Sequence, residues 1–207
     1  MNNITKKSLI LIFIVLLVDQ LLKIYIKTNY TYGQIHYIFG LQWARLHFVE
    51  NKGMAMGTKI NDFIPFISEN TGKLILTIFR VAAISGLGYW LLDSIKKQSG
   101  VLLCWALSLI FAGALGNIID SIFYGVLFSD SNGQIAQFFP EKGYAPLFYG
   151  HVVDMLQFPL VEWTWPSWLP YIGGKDYLFF QYIFNIADTA ISTGVGILIF
   201  FNKKIFA

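Results

Sequence analysis

Four stretches of this sequence, at about residues 8–26, 73–92, 101–127 and 177–201, are apolar and long enough to cross roughly 30 Å of hydrocarbon at about 1.5 Å of helix rise per residue. No other feature limits the fold so strongly. A chain inside a bilayer must pair every backbone N–H and C=O internally, which leaves helices and closed barrels. The composition agrees: only 13% of the 207 residues are charged, where a soluble domain carries roughly 25%. The sequence is therefore read as an all-α membrane protein, a four-transmembrane-helix bundle in one integral membrane domain spanning residues 1–207. The apolar run at 9–18 follows Lys6 and Lys7 as a signal-peptide core would. It continues through Asp19 and Lys23 without a small-residue cleavage site, so it reads as a retained first helix. A net charge of +3, with no basic run interleaved with aromatics, offers no groove for nucleic acid. Cys104 is the only cysteine and cannot form an internal disulfide.

Basic residues give the orientation. Lys6 and Lys7, Lys96 and Lys97, and Lys203 and Lys204 flank the apolar stretches on what the positive-inside rule makes the cytoplasmic side. Both termini are then cytoplasmic, and the connections at about 27–72 and 128–176 face outward. In the first, Leu41, Trp43, Phe48 and Val49 suit short strands, and Asn51-Lys52-Gly53 is a turn signal. This predicts a small extracytoplasmic β-sheet region at the membrane surface. The second is a long outer loop, polar at 129–133. It then gathers Trp163, Trp165, Trp168, Tyr171 and Tyr177 among Pro159, Pro166 and Pro170. Such aromatics favour the headgroup level.

Polar side chains interrupt the helices at helical spacings. Asp19 and Lys23 are i, i+4, and Asn117 and Asp120 are i, i+3, as are Asn185 and Asp188. Any one of these serves equally well as a helix–helix contact. Three such faces at the same outer level point instead to one polar cluster, open outward. Asp154 adds a further carboxylate beside apolar sequence. Two carboxylates in a partly dry site cannot both ionise easily, so one keeps a proton while the other acts as a base. That arrangement suits the attack of water on an amide. The plainer reading is that each Asp caps a helix or binds backbone. Ala112-Gly113-Ala114-Leu115-Gly116 lets another helix approach closely. No His-Glu-x-x-His or Gly-x-Ser-x-Gly is present. His151 stands three residues before Asp154, a ligand spacing on a helix, but without further His, Cys or Glu partners for zinc. The apparatus that remains is carboxylate-based.

Five blocks then stand in a recognisable order: Asp19-Gln20-Leu21-Leu22-Lys23, Asn51-Lys52-Gly53-Met54-Ala55-Met56-Gly57, Gly116-Asn117-Ile118-Ile119-Asp120, Gly150-His151-Val152-Val153-Asp154 and Phe184-Asn185-Ile186-Ala187-Asp188. Together they resemble the lipoprotein signal peptidases (signal peptidase II), aspartyl proteases of the bacterial cytoplasmic membrane. The resemblance implies four transmembrane helices, an extracytoplasmic site and a catalytic pair at Asp154 and Asp188. It implies a supporting, substrate-holding set at Asp19, Lys23, Asn51, Gly53, Gly116, Asn117, Asp120, Asn185 and Ala187. The substrate would be a diacylglyceryl-modified prolipoprotein, cut just before its lipidated cysteine among the membrane lipids, with no metal or cofactor. Three departures stand out. Ser121 occupies the place of a common Arg, whose ion pair is either lost or supplied elsewhere, with Arg80 or Lys52 as candidates. Met56 replaces a usual Phe, and the segments 121–149 and 159–176 are extended. The tract 129–148 supplies no matched residue and is expected to shape access only. Two rival classes remain open. One is a transporter or channel subunit using Asp19, Asp120 and Asp188 as an ion path, which calls for midplane polar groups and often repeats. The other is a scaffold for lipoprotein handling in which the Asp pair is dispensable.

Overall fold

The computed structural model describes residues 3–52 and 66–206. Among the described residues, three helices are long and apolar enough to cross a membrane: α1 (Asn3–Asn29), α2 (Glu69–Lys96) and the stretch that begins as α3 (Val101–Ile119) and ends at Leu127. Ser68 caps α2, its hydroxyl accepting from Thr71 N. After Ile119 the third helix widens into a π turn, Asp120–Tyr124, before a last short turn, Gly125–Leu127.

The fourth helix differs from expectation. α4 covers Ile186–Phe200, 15 residues, and not 177–201. Two causes shorten it. The aromatic run before it pairs as strands, and Asn185 takes an extended conformation and caps the helix. A short α5 (Asn202–Phe206) follows.

The predicted sheet is present and larger than the sequence suggested. β1 (Ile35–Tyr37), β2 (Arg45–Asn51), β3 (Val152–Gln157) and β6 (Ile183–Phe184) form an antiparallel sheet in the order β1-β2-β3-β6. β4 (Val161–Thr164) and β5 (Asp176–Phe179) make a separate hairpin. The 128–176 connection is thus not simply a loop. Leu41 and Trp43 fall in the turn before β2, because the chain first makes a 3-10 turn at Ile38–Gly40. On a strand successive side chains face opposite ways. Val49, Asn51, Val152 and Asp154 line a cavity, while Phe48, Val153 and Met155 join Ile26, Tyr124 and Phe128 in the core.

The tract 129–149 is more than an access rim. Ser131 and Ala136 are buried, and Ala136 packs into the same core. The π turn and the helix end free backbone carbonyls that need partners. The tract supplies them: Gly150 N donates to Ser121 O, Phe148 N to Ile122 O, Ala145 N to Gly125 O and Phe139 N to Leu127 O, at 2.9–3.0 Å. Lys73 of α2 adds a bond from Nζ to Tyr149 O at 2.7 Å.

α3 and α4 pack with almost no space between backbones. A Cβ at Gly113 would collide with Ala187 O, and one at Gly194 would lie 2.6 Å from Ala106 O. The small-residue run in α3 therefore does what its composition predicts. At Gly86 on α2, by contrast, an added methyl group would meet nothing within 4 Å. Gly113→Ala should destabilise the protein by about 1–3 kcal/mol through overpacking, while Gly86→Ala should be neutral or slightly stabilising. Thermal unfolding in detergent checks this, and equal midpoints for the two variants would contradict the packing described.

Candidate active site

The polar residues of α1, α3, α4 and β3 meet in one network. Its base is Lys23, fully buried, whose Nζ lies 2.9 Å from Asp19 and 2.8 Å from Asp120. The same ammonium donates to Asn117 Oδ1 at 2.9 Å. Asp19 and Lys23 thus pair along one face of α1 as their spacing predicts. Asp19 also reaches across to α4, where its Oδ1 accepts from Ala187 N at 2.9 Å. That bond satisfies one of the free N–H groups at the start of α4, an end that favours negative charge. Gly116 makes room for this approach, because a Cβ there would lie 2.7 Å from Asp19 Oδ2.

Asp120 accepts from Val153 N at 3.2 Å, so the π turn is tied to the strand that carries Asp154. Gly150 passes so close to Asp120 O that no side chain could stand there. Lys23 is a cation paired with Asp120. Ser121, in that Arg's place, donates its hydroxyl to Asn117 O at 2.9 Å. Arg80 and Lys52 line the cavity, where Arg80 feels the charges of Asp188 and Asp154.

Asn185 and Asp188 form a capping box: Asp188 N donates to Asn185 Oδ1 at 2.9 Å, and Asn185 N to Asp188 Oδ2 at 3.3 Å. Their i, i+3 spacing is therefore a helix start rather than a face within the membrane-spanning part. The capped end aims both side chains at β3. Asn185 Nδ2 donates to Asp154 Oδ1 at 2.7 Å and to Asn117 Oδ1 at 3.1 Å. Asn117 Nδ2 in turn donates to Asp188 Oδ1 at 2.8 Å. Asn51 Nδ2 reaches Asp154 Oδ2 at 3.4 Å. Each carboxylate is held by amides, and both line one cavity of about 1230 Å³. Burial, and then the facing charge of Asp188, push the Asp154 carboxyl up to about 8.

Every expected site residue that is described belongs to this network or lines its cavity; Gly53 and Met56 lie outside the described residues. His151 does not join Asp154. Three positions apart on extended backbone they face opposite ways, and His151 Nδ1 bonds Glu50 at 2.8 Å. Gln20 is a network residue that helical spacing does not reveal. Its amide touches Asp19 at 3.1 Å and Asp120 at 3.0 Å, and it accepts from Tyr124 OH at 3.1 Å. Its place beside Asp19, in an otherwise apolar helix, is the signal that points to it.

Comparison with known proteins gives a consistent result. A family model described as Signal peptidase (SPase) II matches residues 11–203. A lipoprotein signal peptidase of Porphyromonas gingivalis is 47% identical over 191 residues, covering 91% of this chain and 79% of that protein. One from Amoebophilus asiaticus is 34% identical over 184 residues, covering 88% and 71%. A solved bacterial membrane enzyme, 23% identical, has a similar fold with a TM-score of 0.59 over 94% of this chain and 91% of its own.

Lys23 is the test of the network's base. Lys23→Met would leave two buried carboxylates without a cation and should cost about 3–5 kcal/mol. Adding Asp120→Asn removes one of those charges and should recover part of the loss. Detergent unfolding curves measure both; a single variant as stable as the wild type would contradict the arrangement.

Proposed function

The chain belongs to the signal peptidase II family, and on that premise we propose that it is an intramembrane aspartic endopeptidase. Its substrate would be a diacylglyceryl-modified prolipoprotein, cut just before the lipidated cysteine. The observation that carries the aspartic reading is the pairing of Asp154 and Asp188 across one cavity, each held by Asn side chains.

The roles follow from the surroundings. Asp154, buried and facing Asp188, keeps the proton. Asp188, which accepts from Asn117 Nδ2 and Asn185 N, acts as the base. Asp188 takes a proton from a water molecule, and the water oxygen bonds to the carbonyl carbon before the cysteine. Asp154 donates its proton toward the carbonyl oxygen as negative charge builds there. The resulting tetrahedral centre collapses, the C–N bond breaks, and the proton taken from water passes to the leaving amine of the lipidated cysteine. The new carboxyl end stays on the signal peptide.

The cavity runs from the carboxylates along Phe79, Ala83, Ile84, Leu87, Ile110 and Ile191. This apolar wall suits the signal peptide and acyl chains, which would enter sideways from the bilayer. α4, roughly 22 Å long, would serve as the fourth span with its capped end below the outer surface. Both termini would be cytoplasmic and the site extracytoplasmic, in the bacterial inner membrane. The rim would rest on the bilayer. Phe39, Phe139, Phe148, Tyr171 and Phe180 all have positive φ, and all lie in the two connections on the site's side. That conformation costs a non-glycine residue about 1–2 kcal/mol. Phe39 and Tyr171 are each 95% exposed, and seating such rings at the headgroup level would offset the strain. In the connection between α2 and α3, the described residue with positive φ is the polar Gln98.

Incubating purified protein with a lipidated prolipoprotein tests the reading. Asp154→Asn and Asp188→Asn should each lower cleavage by roughly a thousandfold or more while the protein still inserts, with the double variant scarcely worse. Since the raised group is an acid that must keep its proton, the wild-type rate should fall as pH rises through about 8. Wild-type cleavage by either single variant would remove that Asp from the mechanism.

A further inference from the structure

Behind the sheet lies a second cluster of buried charges that this chemistry does not use. Lys27, at the end of α1, is fully buried, and its Nζ donates to Glu50 Oε1 at 2.6 Å and Ser131 Oγ at 3.1 Å. The rings of Phe48, Phe128 and Tyr144 surround the ammonium, with centroids 5.9, 5.2 and 4.9 Å away. Glu50 Oε1 also accepts from Ser131 Oγ at 2.7 Å, and Oε2 meets His151 Nδ1 at 2.8 Å. Four segments thus converge on one carboxylate: the end of α1, β2, the 129–149 tract and the residue before β3. Burial alone would raise the Glu50 pKa, but the His151 bond and the Lys27 charge hold it down at about 2. Glu50 therefore stays ionised throughout the working pH range.

Its place in the ladder matters. Glu50 stands opposite Val153, between Val49 opposite Asp154 and Asn51 opposite Val152. The pairing of β2 with β3 is irregular between Leu46 and Val49, so the register of the last three pairs is not inherited from the earlier ones. A slip of one residue would turn the Asn51 side chain away from Asp154 and break the contacts of Glu50 with Lys27 and His151. Even without a slip, the Asn51 bond to Asp154 at 3.4 Å is near the limit of a hydrogen bond and is lost on a small displacement.

We propose that Lys27, Glu50 and His151 are positioning residues for the reaction: joined across α1, β2 and β3, they fix the register that aims the Asn51 amide at Asp154. This rests on Asp154 being a member of the dyad. Ser131 makes the extended tract part of the device, because its hydroxyl bridges Lys27 and Glu50.

The test reads the charge state of Asp154. That group is faced by Asp188 of α4, Lys23 of α1, Asp120 at the end of α3, Asn51 of β2 and Arg80 of α2. Of these, Asn51 is the one adjacent to Glu50 on β2. Because the Asn51 bond favours the ionised form, losing it shifts the basic limb of the rate to higher pH. The experiment is a double-mutant cycle on the full chain in lipid nanodiscs, with kcat, KM and the pH profile for a lipidated prolipoprotein. Glu50→Gln and Asn51→Ala should each lower kcat about tenfold, the worth of one hydrogen bond to a charged group, with little change in KM. Both should move the basic limb upward. Acting through one contact, the double variant should be no worse than Asn51→Ala alone. Lys27→Met combined with Glu50→Leu removes both charges while keeping apolar bulk, and should reproduce the loss and the limb shift in a folded protein. Multiplying losses in the double variant, or an unmoved limb in Glu50→Gln or in Lys27→Met with Glu50→Leu, would overturn the positioning role. Full cleavage by Asp154→Asn would sink the dyad instead, so the two failures are distinguishable.

Discussion

One ammonium group, Lys23 Nζ, sits where α1 and the end of α3 meet, bound by Asp19, Asp120 and Asn117. Each of its partners makes a second commitment elsewhere. Asp19 caps the start of α4 through Ala187 N, Asp120 holds Val153 N of β3, and Asn117 holds Asp188. The buried cation thus fixes four elements, α1, α3, α4 and β3, relative to one another. Without it, two carboxylates would be stranded in apolar surroundings, a far larger penalty than any single packing contact provides. Asp188 and Asp154 sit on the very elements that Lys23 ties together, so their relative placement depends on this base. Close packing of Gly113 and Gly116 against α4 gives the network the short distances it needs.

The sheet has a division of labour that follows from strand geometry alone. Its cavity face carries Asn51 and Asp154; its other face carries Phe48, Val153 and Met155 over the core. The residues that must be wet or reactive and those that must be dry therefore alternate along the same two strands. Glu50 lines the cavity edge and joins Lys27 and Ser131, which ties the extended tract to β2.

Much of this was legible in the sequence because the signals were local. Long apolar runs gave α1, α2 and α3, and the i, i+4 spacing of Asp19 and Lys23 gave their pairing. The five motif blocks brought the site residues together before any contact was visible. What escaped was decided by tertiary pairing. Residues 177–184 have the hydropathy of a membrane helix, yet they pair with β4 and β3, and only the Asn185 cap marks where α4 begins. His151 and Asp154 have a helical spacing that the strand turns to opposite faces. The partner of Asp120 could not be read from Ser121, because Lys23 is remote in sequence and already paired locally. The role of the 129–149 tract was hidden for the same reason: its N–H groups serve carbonyls of the preceding helix end, and no local pattern announces that.

The proposed mechanism requires that Asp154 carry a proton at neutral pH. Infrared difference spectroscopy on protein carrying isotopically labelled aspartate, in lipid bilayers, reads this directly. A protonated Asp154 predicts a protonated-carboxyl band at neutral pH that is absent from Asp154→Asn and fades as pH rises through about 8. A wild-type spectrum with no protonated aspartate at neutral pH, or a band that survives in Asp154→Asn unchanged, would contradict it.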